Sequence, residues 1–423
     1  MIAASGQDGA LLGEAAAREA CERAIGDWRV DGKRVLAIVP DGTRTAPMGL
    51  LFRVLHAALA GRARGFDVLI ANGTHPPMRE EAILARFELT VEEWRGRYAG
   101  NRFFNHRWDD PRQLVTVGTL DEDEVASLSE GRLRERVVVT LNRLILDYDL
   151  LLIVGPTFPH EVAGFSGGNK YLFPGISGKA IIDLFHWLGA LVTNPAIIGT
   201  KWTPVRAVID RAAAMVPVER RCISLVVAQG GLAGLYAGTP EEAWSAAADH
   251  SERLHVRRER RPFASVLSCA PPMYDELWVG GKCAYKLEPV VRDGGELIIY
   301  APHIARISSV HGDAIRALGY HVRDYFLAQM DRFAGAPRGV MAHATHVKGV
   351  GTYAGGVERP RIQVTLATKI SEAECRAVNL GYRDPESIDA RAWREGGDPE
   401  RLYVERAGET LYRLEDDPFG RAA

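Results

Sequence analysis

Three stretches of this chain share one pattern. "RVLAIVPDGTRTAP", "DVLIANGTH" and "DLLLIVGPTFPHE" each pass from a short, continuous apolar segment into a polar loop bearing glycine or proline. A strand covered on both faces reads this way, because it has no solvent face to alternate with. The pattern predicts a parallel α/β sheet with buried strands at Val35–Val39, in the second stretch, and near Asp149–Glu161. Amphipathic helices are predicted over about residues 11–28 and in "GLLFRVLHAALAGRARG", the latter closed by Gly65. A further helix, "SGKAIIDLFHWLGAL", has Ser177 as its expected N-cap, and His186 lies about two turns in.

In open α/β sheets, ligands lie beyond the carboxyl ends of the strands. Here those ends carry Asp41 and Arg44, then His75, then His160. A basic stretch, "HSERLHVRRERRPF", precedes a second set of strand-like runs: "FASVLSC", Glu296–Tyr300 and Ile362–Ala367. The fold expected is therefore two α/β domains with mainly parallel sheets, divided near residue 258, with the active site in the cleft between them. The tail 400–423 is expected to return to the first domain.

Composition narrows the function. With 52 basic and 54 acidic residues the net charge is −2, so no global field points to nucleic acid or an anionic membrane. No apolar run approaches the ~18 residues of a spanning helix. The cysteines (Cys21, Cys222, Cys269, Cys283 and Cys375) are odd in number and form no CxxC pair. That is the pattern of a reduced, cytoplasmic protein rather than a disulfide scaffold.

"GFSGGNKYLFPGISG", Gly164 to Gly178, resembles a phosphate loop but fits neither common type. A Walker A loop needs Ser or Thr after its lysine, and Tyr171 follows Lys170 here. The glycine spacing does not match a dinucleotide fingerprint either. "GFSGG" is a formal GxSxG match, so a serine hydrolase built on Ser166 is an alternative. A non-catalytic binder of a nucleotide or sugar acid is another. "HEVAGF" is not HExxH, since Gly164 stands four after His160. His106, flanked by aromatics in "FFNHRW", reads as structural.

The motifs "DGTRTAP" (41–47), "ANGTHPP" (71–77), "PHEVAGFSGGNKYLFPGISG" (159–178) with His186, and "YDELWVGGK" (274–282) occur in an order and spacing that resemble the nickel-dependent lactate racemase family. That resemblance implies a racemase or epimerase of a 2-hydroxyacid such as lactate, malate or an aldonate. It implies nickel in a nickel-pincer nucleotide (pyridinium-3-thioamide-5-thiocarboxylic acid mononucleotide) joined covalently to Lys170, with His186 as nickel ligand. His75 and His160 would be the alternating acid/base groups. Gly167 and Gly168 would line the cofactor, and Asp41, Arg44, Trp278 and Lys282 would bind substrate. The first domain would then hold cofactor and the second, 259–399, would be a substrate lid. Partners would be the hydroxyacid and cofactor-biosynthesis proteins. The sequence departs from the pattern at Asn169, where arginine often precedes the lysine, and at Val279, where lactate-specific members carry glutamine. The segment 343–356, "HATHVKGVGTYAGG", has no evident counterpart. These departures bear on which acid is used.

Overall fold

The computed structural model describes residues 1–6 and 10–419. The chain forms two compact units. The first comprises 1–158, 165–182 and 206–254; the second comprises 159–164, 183–205 and 255–423.

The first unit is built on a seven-stranded sheet. Its strands are β1 (Ile2–Ser5), β2 (Arg34–Pro40), β3 (Gly65–Ala71), β4 (Phe103–Asn105), β5 (Leu150–Pro156), β6 (Glu219–Ala228) and β7 (Gly231–Gly238). They lie in the order β1-β7-β6-β5-β2-β3-β4. The run from β6 to β4 is parallel, and β7 and β1 add antiparallel pairs at one side. Both faces of β2 are covered. Val35, Ala37 and Val39 pack in one cluster with Ala24 and Ile25 of α1 (Glu14–Asp27) and Leu51, Phe52 and Leu55 of α2 (Met48–Leu59). Leu36 and Ile38 are fully buried as well. Each such side chain contributes about 1.5–3 kcal/mol by leaving water, which explains why no polar residue interrupts the run. Because β2 and β3 are neighbours, the loops holding Asp41 and His75 leave the same edge side by side.

The helix expected to close at Gly65 ends earlier, at Leu59, where the Ala60 N–H bonds back to His56 O. The left-handed turn position falls on Gly61, and Gly65 opens β3 instead. Ser177 does not cap the next helix. Its hydroxyl donates to Pro174 O, and Gly178 O receives the first helical bond, from Ile182. That helix, α4 (Lys179–Val192), has its first turn in the first unit and His186 in the second.

The second unit carries a five-stranded, all-parallel sheet. Its strands are β8 (Phe263–Cys269), β9 (Val291–Ala301), β10 (Gln363–Thr368), β11 (Gly381–Tyr382) and β12 (Arg401–Val404), in the order β11-β10-β9-β8-β12. The tail therefore does not return to the first unit. Ser265 to Ser268 pair with Arg401 to Val404, and Val256–Glu259 pairs with Leu411–Leu414. Arg413 donates to Ile198 O at 2.8 Å and Pro195 O at 2.9 Å, so it satisfies carbonyls of the second unit's own 183–205 segment. The open edge of β8 accounts for this: it offers ladder hydrogen bonds that the tail's short apolar run can fill. Among the described residues, no helix is long and apolar enough to cross a membrane. All five cysteines are buried and unpaired with one another.

Candidate functional site

In the first unit the site begins with Asp41, at the end of β2. Its carboxylate is buried. Oδ1 accepts from the Thr43 N–H at 3.1 Å and the Thr43 hydroxyl at 2.7 Å. Oδ2 lies 2.5 Å from His75 Nδ1. Burial alone would raise this carboxyl, but His75, the Thr43 hydroxyl and the Arg44 charge outweigh it and hold the group well below the usual carboxylate range. An ionised Asp41 can only accept, so His75 must carry its proton on Nδ1. In the neutral ring that leaves the lone pair on Nε2, and the side chain is 29% exposed at this point. The sequence placed Asp41 against substrate; in the structure it orients a histidine.

Lys170 sits half-buried in a tight turn, Gly168–Tyr171. Packing beneath fixes that turn. Asn169 is fully buried; its amide donates to Asp210 at 3.0 Å and Glu241 at 2.7 Å, and its oxygen accepts from Arg220 at 3.0 Å. Arg206 lies 3.9 Å over the Trp244 ring and donates to Phe165 O and Gly167 O. Trp244 donates to Ser166 O at 3.0 Å. Gly167 and Gly168 have φ of +90° and +58°. A Cβ at Gly167 would meet Thr157 Oγ1 at 2.4 Å, and one at Gly168 would meet Trp244 Cβ at 2.7 Å. Both positions thus demand glycine for the chain's own packing, whatever binds above.

Tyr171 links this turn to the first loop. Its hydroxyl donates to Pro156 O, the last residue of β5, at 3.3 Å. Burial pushes its phenol up, while Arg44 and Arg86 act in the opposite direction. Arg86, the last residue of α3 (Glu80–Arg86), reaches Ala46 O from Nη1 at 3.4 Å. An arginine at the end of a short polar helix carries no sequence signal, and neither Arg86 nor Tyr171 was expected at the site.

Ser166 is not poised as a nucleophile. Its hydroxyl accepts from Phe158 N–H at 2.9 Å and donates to Pro156 O at 3.2 Å, and α4 starts only at Lys179. His106 is structural, as its setting suggested: Nε2 bonds Ser177 O at 3.0 Å and Nδ1 bonds Asn142 at 3.1 Å. Burial lowers its pKa to about 4.

In the second unit, His160 is buried, with Nδ1 accepting from Val162 N–H at 3.1 Å. The neutral ring therefore carries its proton on Nε2, the reverse of His75. The Glu161 carboxylate lies 3.3 Å from the same Nδ1. Phe185 packs edge-on to both His160 and His186, with centroids at 6.4 and 4.8 Å. Helix α8 (Arg338–Lys348) covers the region of "HATHVK" and brings up two more buried histidines. Burial, then the neighbouring His346, His311 and His186, lowers His343 well below the usual imidazole range. His346 falls to about 4, mainly by burial, with Glu161 opposing. Trp278, in α6 (Leu277–Gly280), packs against His311 and His343, with ring centroids at 4.2 Å and 4.0 Å. Lys282, in α7 (Lys282–Tyr285), is buried with its ammonium 4.8 Å from the Tyr274 ring centre.

Known proteins share this architecture. A family model described as the lactate racemase N-terminal domain matches residues 4–198. A lactate racemase of Thermoanaerobacterium thermosaccharolyticum is 28% identical over 185 residues, which are 42% of this chain and 39% of that protein. A lactate racemase of Lactiplantibacillus plantarum is 25% identical over 167 residues, 39% of this chain and 35% of that protein. These sequence matches thus span well under half the length of either relative. A crystal structure of a Thermotoga maritima protein has a TM-score of 0.88 at 33% identity, covering 97% of this chain and 100% of that one. The lactate racemase apoprotein from T. thermosaccharolyticum has a TM-score of 0.71 at 17% identity over 94% of this chain and 92% of that one, a likeness of fold. Residues 4–198 thus match the lactate racemase N-terminal domain, and the chain is similar in sequence and fold to lactate racemases.

Proposed function

We propose that this protein racemises or epimerises a 2-hydroxyacid, with lactate the first substrate to test and malate or a polyhydroxy acid next. The observation that carries the reading is the Asp41–His75 pair, a buried carboxylate that fixes a half-exposed imidazole with Nε2 as base. Inverting C2 requires that its hydrogen leave and return on the other face. Leaving as hydride, with the hydroxyl proton going to a base, gives a planar 2-ketoacid.

The donor set fits a nickel-pincer nucleotide. Among the described residues, no group of three or more His, Cys, Asp or Glu could enclose a metal. A metal carried on an organic ligand needs only one imidazole from the protein. Lys170 would anchor the nucleotide and His186 would ligate nickel. The group would supply reversible acceptance of hydride from C2.

The remaining work falls to the chain. His75 Nε2 takes the hydroxyl proton of one enantiomer. His160 serves the other when its proton sits on Nδ1, facing the Glu161 carboxylate, which frees Nε2 to accept. Arg44 and Lys282 hold the carboxylate, Arg44 through its planar fork. Trp278 limits the side chain of the acid.

The test incubates nickel-loaded protein with enantiopure lactate, malate, 2-hydroxyglutarate, phenyllactate and gluconate, followed by chiral chromatography. Loss of optical purity in one acid, with a mass adduct on Lys170, is expected. Full activity from protein unmodified at Lys170 would refute the cofactor assignment. No C2 exchange with any acid, from protein carrying the adduct, would leave a binding protein.

A further inference from the structure

The chain leaves much of the Arg86 guanidinium unsatisfied. Nη1 touches Ala46 O at 3.4 Å, on the loop that carries Asp41 and Arg44. Nε and Nη2 are buried and have no hydrogen-bond partner. Among the described residues, no carboxylate lies within ion-pair distance of Arg86. Asp41 acts on Arg86 through its charge but makes no hydrogen bond to it.

The two idle nitrogens are the informative ones. Nε–H and one Nη2–H of a guanidinium point in parallel, and together they take the two oxygens of a carboxylate or phosphate side-on. Leaving that fork buried and unfilled by the chain is costly. Arg86 and Arg44 both act electrostatically on the phenol of Tyr171, the residue that follows Lys170. A structural arginine in such a place would have its fork filled by carbonyls or a carboxylate of the chain, as Arg413 does.

We infer that Arg86 is an oxyanion-binding residue, whose Nε/Nη2 fork receives a carboxylate or phosphate next to the Asp41–Arg44 loop and the Lys170 turn. Two sources share that chemistry: the substrate's carboxylate and the phosphate of a nucleotide. Only the choice between them rests on the function proposed above.

The test is calorimetric titration of the purified, unloaded chain with inorganic phosphate and, separately, with lactate. It compares wild type, Arg86→Gln (no charge) and Arg86→Lys (charge without the fork). At least one anion should bind wild type, and Arg86→Gln should weaken it about 10- to 100-fold. Arg86→Lys should fall between, and it decides the matter alone if Arg86→Gln does not fold. An Arg86-dependent response to phosphate points to the nucleotide, and one to lactate alone points to substrate. Binding of neither anion, or equal affinity in wild type and both variants, overturns the inference. Lys170 found unmodified in active protein would defeat the cofactor reading, yet leave an Arg86-dependent anion response standing.

Discussion

Asp41→Asn tests the arrangement most sharply, since it changes one atom and keeps the shape. In wild type Oδ1 is held by Thr43 and Oδ2 by His75. In the variant the oxygen stays with the two Thr43 donors, which turns the new NH2 toward His75. Nδ1 must then accept, so the imidazole proton moves to Nε2 and the base is lost. A hydrogen bond to a charged group contributes about 1.5–3 kcal/mol, or about 10- to 150-fold in kcat. The wrong tautomer adds to this; the same exchange in a serine protease triad, at about 10⁴-fold, gives the upper bound. We expect a kcat loss between those limits, read on loaded protein by chiral chromatography. Imidazole nitrogen NMR of the unloaded protein should show His75 moving from the Nδ1–H to the Nε2–H form. Stability supplies a second reading. The Asp41 carboxyl is lowered in the fold, so its contribution is present above the ordinary value of about 3.9 and is lost as pH falls through the folded value. The stability gap between wild type and variant should narrow in acid. Activity within about threefold of wild type, with the His75 tautomer unchanged, would refute the reasoning.

Three further outcomes follow from particular contacts. His106 is neutral in the fold down to about 4, whereas an unfolded histidine charges near 6.5, so wild-type stability should fall as pH drops through that window by about 3 kcal/mol. Urea titrations of His106→Gln should lack most of that slope; parallel curves for the two proteins would contradict the assignment. Asn169→Ala removes three bonds to charged groups under the Lys170 turn and should cost about 2–4 kcal/mol in denaturant titration, with a loss under about 0.5 counting against the clamp. Ser166→Ala should cost about 1 kcal/mol and leave turnover intact, and wild-type protein should not react with a fluorophosphonate probe. Labelling at Ser166 would revive the hydrolase.

The parts legible in the sequence were those written in local pattern. Uninterrupted apolar runs gave the parallel strands, and the polar residues directly after them gave Asp41, His75 and His160. Partners distant in sequence carried no such mark. Asp41 looked like a substrate group because nothing in "DGTRTAP" says that an imidazole 34 residues on will reach its carboxylate. Asn169 looked like a departure at a cofactor contact. Its oxygen and nitrogen instead bind residues 41 to 72 positions away in sequence, a distance no periodicity reports. The tail was misplaced for the same reason. Its four-residue strand, Arg401–Val404, is too short to show a period, and its partner is a sheet edge assembled from residues more than a hundred positions earlier.

What separates the working groups from the scaffold is who satisfies them. Asn169 and His106 are as buried as anything at the site, but the chain fills their hydrogen bonds and nothing is left to act on a ligand. His75 gives one nitrogen to Asp41 and keeps the other. Arg86 keeps two of its three nitrogens. Burial raises the cost of leaving such valences open, so a fold that keeps them open must recover that cost elsewhere or through a ligand. On this measure the scaffold beneath Lys170 and the open valences around Asp41 belong to one design. The Asn169 clamp and the Arg206–Trp244 stack hold the backbone of that turn.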